Sequence, residues 1–401
     1  MQRAARCLGR GTESVAGGHR QAAPAAGRAA GPGAGAVRLL RISWCRYRVP
    51  LRVPLRTARG EMALREGLLV GLEAEGGLQG LGEAAPVPWH GSGVEDLASA
   101  LAAVARRLEG SELDAVTDAA AKLPSPLAFA LETAGLDAAA RARGVPLARL
   151  LSPEARDAVT VNALVSAEDP WDCFRQAREA AAQGYRCLKI KVGALPLERD
   201  VQRLRAVREA TGPEMALRAD ANGAWQRIEE AARAIAALSP FGLQYIEQPL
   251  PPGRWADMAR LRREAGVPIA ADEDVTDLDA ARALLEAGAA DVLVLKPSAL
   301  GGLGRSLACA RLCQRMGAKA VVTTALETAI GTAACLHLAC ALPGPPLAAG
   351  LGTLTLLADD LAGGALTMGS GYMGLPQAPG LGLAPAVDAL ARYATPWTDA
   401  G

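Results

Sequence analysis

LKIK at 188–191, LRAD at 217–220, QYIE at 244–247, IAAD at 269–272 and VLVLK at 292–296 share one form: a β-branched or apolar run that ends on a charged residue. The terminal residues, Lys191, Asp220, Glu247, Asp272 and Lys296, follow one another after 29, 27, 25 and 24 residues, each step about one strand plus one helix long. Every one of them stands where a strand hands over to a loop. Strand–helix units repeated at this spacing imply parallel βα units. Three carboxylates and two lysines brought to one end of such a sheet imply a divalent-metal site flanked by acid/base groups.

The alternation extends on both sides of these runs. From Val159 onward AVTVNALV, RCLKIKV, MALRAD, LQYIE, IAAD, DVLVLK, AKAVVTT and PLAAG are strand candidates, separated by helices such as 171–183, 197–210, 227–238 and 277–287. Gly184, Gly266, Gly288 and Gly317 stop four of the helices just before the next strand. Eight strands in so short a span predict a closed barrel over 149–360 rather than an open doubly wound sheet. No GxGxxG opens a helix after the first strand; the glycines at Gly301, Gly302 and Gly304 follow strand six, which weakens a dinucleotide site and permits a phosphate or carboxylate contact.

Residues 37–148 read as an α+β domain. VRLLRISWCRYRV, GLLVGLEAEGG and LQGLGEAAP form an antiparallel meander, and helices follow at 94–108, 113–122 and 126–143. A C-terminal segment, 361–401, is expected to pack back on this domain. The first 36 residues are rich in Ala, Gly and Arg, with five arginines against the single acid Glu13, and no periodicity there could bury a face. They read as an organelle transit peptide, with a disordered extension or a linker cut from a longer fusion as the alternative.

Composition removes several classes of function. The net charge of +1 over 401 residues offers no basic stripe to nucleic acid, and no apolar run reaches the roughly 18 residues of a membrane span. The eight cysteines form no CxxC pair, which favours a reduced compartment. With three histidines, at 19, 90 and 337, zinc sites and serine triads have little to build on.

Catalytic residues of a βα barrel lie at the C-terminal ends of its strands. Lys189 and Lys191 are two apart on one strand and share a face, here the barrel interior. Burial among like charges lowers a lysine pKa and suits a general base; the alternative is a solvated strand edge. Asp220, Glu247 and Asp272 offer all-oxygen ligands to a hard cation, and Mg2+, which keeps water or substrate oxygens in its remaining positions, fits best. Any one of these acids alone would read as a helix N-cap. IAAD runs to Asp272, so Asp272 is the inward ligand and Glu273 points the other way, where it can pair with Lys296 or Lys191. Arg218 shares the face of Asp220 and reads as a site residue or as a barrel-bottom ion pair.

KxK within LKIK, RADAN at 218–222, IEQP at 246–249, ADE at 271–273 and LKPSALGG at 295–302 together resemble the enolase superfamily. The match is best with its muconate-lactonizing subgroup and, within that, with the o-succinylbenzoate synthases. PLRTARG and GEAAPVPW resemble the subgroup's capping-domain phrases, so the resemblance runs from 37 to 385. It implies an α/β fold in which a modified TIM barrel, (β/α)7β-like, carries an α+β N-terminal capping domain. It also implies Mg2+, with Mn2+ as a substitute, on Asp220, Glu247 and Asp272, and a small-molecule carboxylate as substrate. The reaction implied is a hydro-lyase step of menaquinone or phylloquinone biosynthesis: syn loss of water from 2-succinyl-6-hydroxy-2,4-cyclohexadiene-1-carboxylate to give 2-succinylbenzoate.

By the same resemblance Lys191 removes the proton beside the carboxylate and then protonates the departing hydroxide. Lys296 faces the intermediate across the ring as a cation–π partner, and Lys189 keeps Lys191 deprotonated. Arg218 is placed near Lys191, Asn222 holds the ligand carboxylates, and Thr324 with Gly350 binds a substrate carboxylate through hydroxyl and backbone N–H. Ala325 stands where many synthases carry serine. GLGTL at 350–354 lacks the acidic DxD with which dipeptide epimerases bind an ammonium. His90 would sit on a capping loop. N-succinylamino acid racemase and muconate cycloisomerase use the same lysine pair and stay open, as does, from another class, a non-catalytic module of a fused pathway protein. Association with other pathway enzymes, and a plastid location if the leader is a transit peptide, otherwise cytoplasmic, complete the expectations.

Overall fold

The computed structural model describes residues 37–57, 60–87, 91 and 93–400. The leader and His90 lie outside them. β1 (Leu39–Thr57), β2 (Gly60–Ala74) and β3 (Leu78–Ala84) form an antiparallel meander, with helices α1 (Val94–Leu108), α2 (Asp114–Ala120) and α3 (Ser125–Ala142) following. Period-two alternation gives the sheet two buried faces. Ile42, Trp44, Leu68, Val70 and Leu72 pack with Leu97, Leu101 and Val104 of α1, while Cys45, Tyr47, Val49 and Leu69 join the core of the barrel domain. The meander is therefore a plate between its own helices and the barrel.

Gly80 and Gly82 in β3 let that plate approach α3 closely. A Cβ at either position would stand 2.0 Å from a backbone carbonyl oxygen, that of Ala134 or Ala130. Backbone cannot step aside as a flexible side chain can. Gly82→Ala is expected to lower unfolding free energy by about 3 kcal/mol or by more, from overpacking. Urea titration checks this, and an unchanged midpoint would contradict the close packing.

α4 (Leu147–Leu151) leads to β4 (Ala158–Thr160) and β5 (Ala163–Val165), and then come α5 (Pro170–Ala182), β6 (Cys187–Lys191), α6 (Leu197–Thr211), β7 (Ala216–Asp220), α7 (Ile228–Leu238), β8 (Leu243–Glu247), α8 (Trp255–Glu264) and β9 (Ile269–Ala271). The order continues with α9 (Leu278–Glu286), β10 (Val292–Leu295), α10 (Pro297–Leu300), α11 (Leu303–Arg315), β11 (Lys319–Val322) and α12 (Ala329–Ala341). β5 to β11 make a 7-stranded parallel sheet in sequence order. Bridges from Ala349 to Val161 and from Gly350 to Thr323 close it.

Two strand expectations are corrected here. AVTVNALV is not one strand: β4 leaves the barrel to pair with β13 (Tyr372–Gly374), the partner of β12 (Met368–Gly369), and only β5 joins β6. PLAAG shrinks to two bridging residues, Ala349 and Gly350, and Pro345 and Pro346, the second of them its first residue, have no N–H to give a ladder. α13 (Val387–Tyr393) follows, and β14 (Thr398–Asp399) pairs with β1, placing Ala400 in the core of the first domain. The described cysteines are free and buried, and no described helix is long and apolar enough to cross a membrane.

Candidate active site

The interior of the barrel is marked by Tyr245, Ala270, Val292, Val294 and Val321, which cluster apart from the surrounding core. Counting two residues toward the C-terminal end from Tyr245, Ala270, Val294 and Val321 gives Glu247, Asp272, Lys296 and Thr323. In β6 and β7 the same face carries Lys189, Lys191, Arg218 and Asp220, because Lys189 pairs in register with Arg218 and Lys191 with Asp220. Passing round the closed ring, β6 and β10 are separated by β7, β8 and β9 on one side and by β11, the 349–350 bridge and β5 on the other. Lys191 and Lys296 thus issue from opposite sides of the mouth, with the three carboxylates on the arc between them.

Asp220, Glu247 and Asp272 are buried, with 3%, 1% and 5% exposure. Each has a lysine ammonium against it. Lys189 Nζ lies 2.7 and 2.8 Å from the two oxygens of Glu247 and 2.9 Å from Asp220 Oδ2, and Lys296 Nζ lies 2.5 Å from Asp272 Oδ2. Burial opposes the charge on both lysines, yet Asp220 and Glu247 around Lys189, and Asp272 and Glu273 around Lys296, hold these ammonium groups above the usual lysine range. This corrects the expectation that burial lowers the interior lysines: the carboxylates outweigh it. Lys191 is itself exposed at the mouth, donating to Asn222 Oδ1 at 2.6 Å.

Burial and then the charge of Asp220 push the Glu247 carboxyl up to about 8, against the pull of Lys189. Asp220, although burial works the other way, is held below the usual carboxylate range by Lys189, Lys191 and Lys296. Crowded, buried carboxylates that have drawn in ammonium groups are a cation site by charge, and their oxygens suit a hard divalent ion. Among the described residues no three His, Cys, Asp or Glu side chains are already closed into a metal cage. The donor set fits Mg2+, with Asp220, Glu247 and Asp272 as the residues that would hold it.

The linkage has a sign. A carboxyl raised in the folded state adds stability that is present below the ordinary glutamate range and lost as pH rises through about 8. Mg2+ must displace that proton. Calorimetry in buffers of different ionisation enthalpy is expected to show close to ~1 proton released per ion at pH ~7, falling toward none above pH ~9. Binding without proton release near neutrality would contradict the raised carboxyl.

Neighbouring groups set the ligand geometry. Asn222, at φ 45°, donates its backbone N–H to Asp220 Oδ1 and its side-chain amide to Glu273 Oε1. Gln248, at φ 40°, accepts from the Asp272 N–H and donates to Asp274. Gln248 was visible in the sequence only as a letter of IEQP; nothing there assigned it to Asp272.

Three residues expected at the substrate have partners within the protein. Arg218 is 1% exposed and lies one strand repeat below Asp220, bonded to Gln244 Oε1 and the Ala348 carbonyl and stacked over Tyr245 at 4.9 Å. It braces the barrel interior instead of reaching the mouth. The Gly350 N–H is committed to the Val322 carbonyl, and the Thr324 hydroxyl to the Gly350 carbonyl and Thr353 Oγ1, because these groups close the barrel. Thr323, two residues past Val321, is the threonine that alternation places on the inner face, and its hydroxyl also donates to the Gly350 carbonyl, at 3.0 Å. The glycines after β10 do meet a carboxylate, that of Glu132 from α3, which accepts from the N–H groups of Leu303 and Gly304 at the start of α11.

Comparison with known proteins agrees with this architecture. Residues 41–152 match the mandelate racemase / muconate lactonizing enzyme N-terminal domain, and residues 172–389 the enolase C-terminal domain-like family. The chain belongs to the enolase superfamily, in its mandelate racemase/muconate lactonizing enzyme branch. Among its relatives, muconate cycloisomerase 1 of Rhodococcus opacus is 31% identical over 86% of this chain and 95% of its own. The o-succinylbenzoate synthase of Thermobifida fusca is 42% identical over 51% of this chain, a match spanning 63% of that enzyme. The muconate lactonizing enzyme from Pseudomonas fluorescens, solved with muconolactone, superposes with a TM-score of 0.84 at 27% identity, covering 90% of this chain and 100% of its own. Enzymes of this superfamily use Mg2+ and act on small-molecule carboxylates.

Proposed function

We propose that the chain is an o-succinylbenzoate synthase, an Mg2+-dependent hydro-lyase acting on 2-succinyl-6-hydroxy-2,4-cyclohexadiene-1-carboxylate. The observation that carries this is the mouth itself: Lys191 and Lys296 on opposite sides of a carboxylate arc, with no acid at Gly350–Thr353 to receive an ammonium. Identity of 41–42% with synthases over about half the chain supports it. Asp220, Glu247 and Asp272 would hold Mg2+, which would supply fixed positive charge where negative charge builds on the substrate carboxylate. Lys191 takes the proton from the carbon bearing that carboxylate. It then returns a proton to the hydroxyl leaving from the same face, so that the C–H and C–O bonds break and the ring becomes aromatic. Asn222 Oδ1 holds the Lys191 amine at the mouth. Lys296 presents its charge to the opposite face of the ring.

A second reading, muconate cycloisomerisation, rests on the match along 95% of the Rhodococcus enzyme. The two separate in a specificity test of the purified chain: kcat/KM on the cyclohexadiene, on muconate and on N-succinylamino acids. The proposal expects the cyclohexadiene to lead by about 10²-fold or more; a lead for either competitor would overturn it. Manganese as a substitute ion, a place among naphthoquinone-pathway enzymes and import into a plastid by residues 1–36 belong to the same proposal. A fluorescent fusion of 1–36 that stays in the cytoplasm would remove the last of these.

A further inference from the structure

We infer that Leu164 is a specificity-determining wall of this site, the apolar surface that receives the hydrocarbon part of the substrate beyond its metal-side carboxylate. The inference rests on the dehydration reading above. Leu164 pairs in register with Lys189, and register partners in a parallel sheet share a face. Lys189 reaches Asp220 and Glu247, so Leu164 also looks toward the barrel axis. Asn162, two residues earlier, agrees, since its side-chain oxygen lies 3.5 Å from Arg218 Nη1. An axis-facing leucine in a filled barrel is buried, as Tyr245 and Arg218 are at 1% exposure; Leu164 is 41% exposed. The open space of the mouth therefore reaches deeper along β5 than along β7 and β8.

That space has a charged side, toward β6, and an uncharged side, toward β11. Leu164 stands level with Lys189, one repeat below the ring of Lys191, Asp220, Glu247, Asp272, Lys296, Thr323 and Gly350. The charged positions are contiguous, and the remaining arc is Thr323, Gly350 and Leu164. Gly350 cannot carry a side chain into the gap, because a Cβ there would stand 2.4 Å from Thr323 Oγ1. A substrate that turns its carboxylate to the charged arc lays its body on the neutral one, where Leu164 offers apolar area to be covered. A ring suits that surface. An ammonium pressed there would lose its hydration without gaining a partner.

The test uses Leu164→Asn, of similar size but polar, with Leu164→Met and Leu164→Ala, in the full chain with Mg2+. Leu164→Asn is expected to raise KM for the cyclohexadiene about 10- to 100-fold while kcat stays within ~3-fold, and Leu164→Met to restore KM. Affinity for the product, 2-succinylbenzoate, is expected to fall in parallel by calorimetry. If Leu164→Asn does not fold, Leu164→Ala is expected to show the same KM shift in milder form. An unchanged KM and product affinity, or a loss confined to kcat, would overturn the wall. Should wild type turn over a different substrate, the dehydration reading falls, and the same variants on that substrate still decide the role of Leu164.

Discussion

Lys191→Ala is expected to lower kcat by about 10³-fold or more, since one group both removes and returns the proton and general acid–base catalysis contributes roughly 10²–10⁴. The loss should fall on chemistry alone. Lys191 is exposed and its ammonium donates to Asn222 Oδ1, so its removal leaves the core and the carboxylates in place. Steady-state kinetics with Mg2+ titration separates the outcomes: kcat collapses, Mg2+ affinity stays within about threefold, and thermal unfolding is unchanged. Full activity in this variant would remove Lys191 from the mechanism.

Glu247→Gln is expected to have the second large effect, through the cation. Glu247 is 1% exposed, between Asp220 and Asp272 on the arc, and its carboxyl is pushed up to about 8. Glutamine removes that crowded charge and keeps an oxygen that can accept from Lys189. Mg2+ affinity should drop about 100-fold and activity with it, because a neutral amide oxygen replaces a charged ligand. Metal-free stability should not fall, and its decline with rising pH toward about 8 should be lost. A variant that binds Mg2+ like wild type would contradict the ligand assignment. One that merely unfolds would contradict the account of Glu247 as a crowded carboxyl.

The ladder from Lys191 to Lys296 was legible because strand ends and period two are local: each residue closes a run whose alternation states its face. The α/β class and the capping meander followed from the same patterns. What was not legible depends on closure and register. Nothing in PLAAG tells that only Ala349 and Gly350 bridge, and hence that the Gly350 N–H and the Thr324 hydroxyl are used up in closing the ring. AVTVNALV reads as one strand because the partner that draws off Ala158–Thr160 lies more than two hundred residues away, at Tyr372–Gly374. Arg218 shows its face in the sequence but not its depth, which is set by register with Lys189 and Tyr245. Leu164 looks like an ordinary core leucine until its exposure is seen. The lysine charges, too, depend on distances of under 3 Å to carboxylates from other strands, which no spacing rule supplies.

The most direct measurement is the ultraviolet progress curve for 2-succinylbenzoate formation by the purified chain supplied with the hydroxycyclohexadiene carboxylate and Mg2+, repeated after chelation. The account predicts catalytic turnover with Mg2+, its loss on chelation and its return when the ion is restored. No aromatic product with the cation present, alongside racemisation of an N-succinylamino acid or lactone formation from muconate under the same conditions, would contradict it.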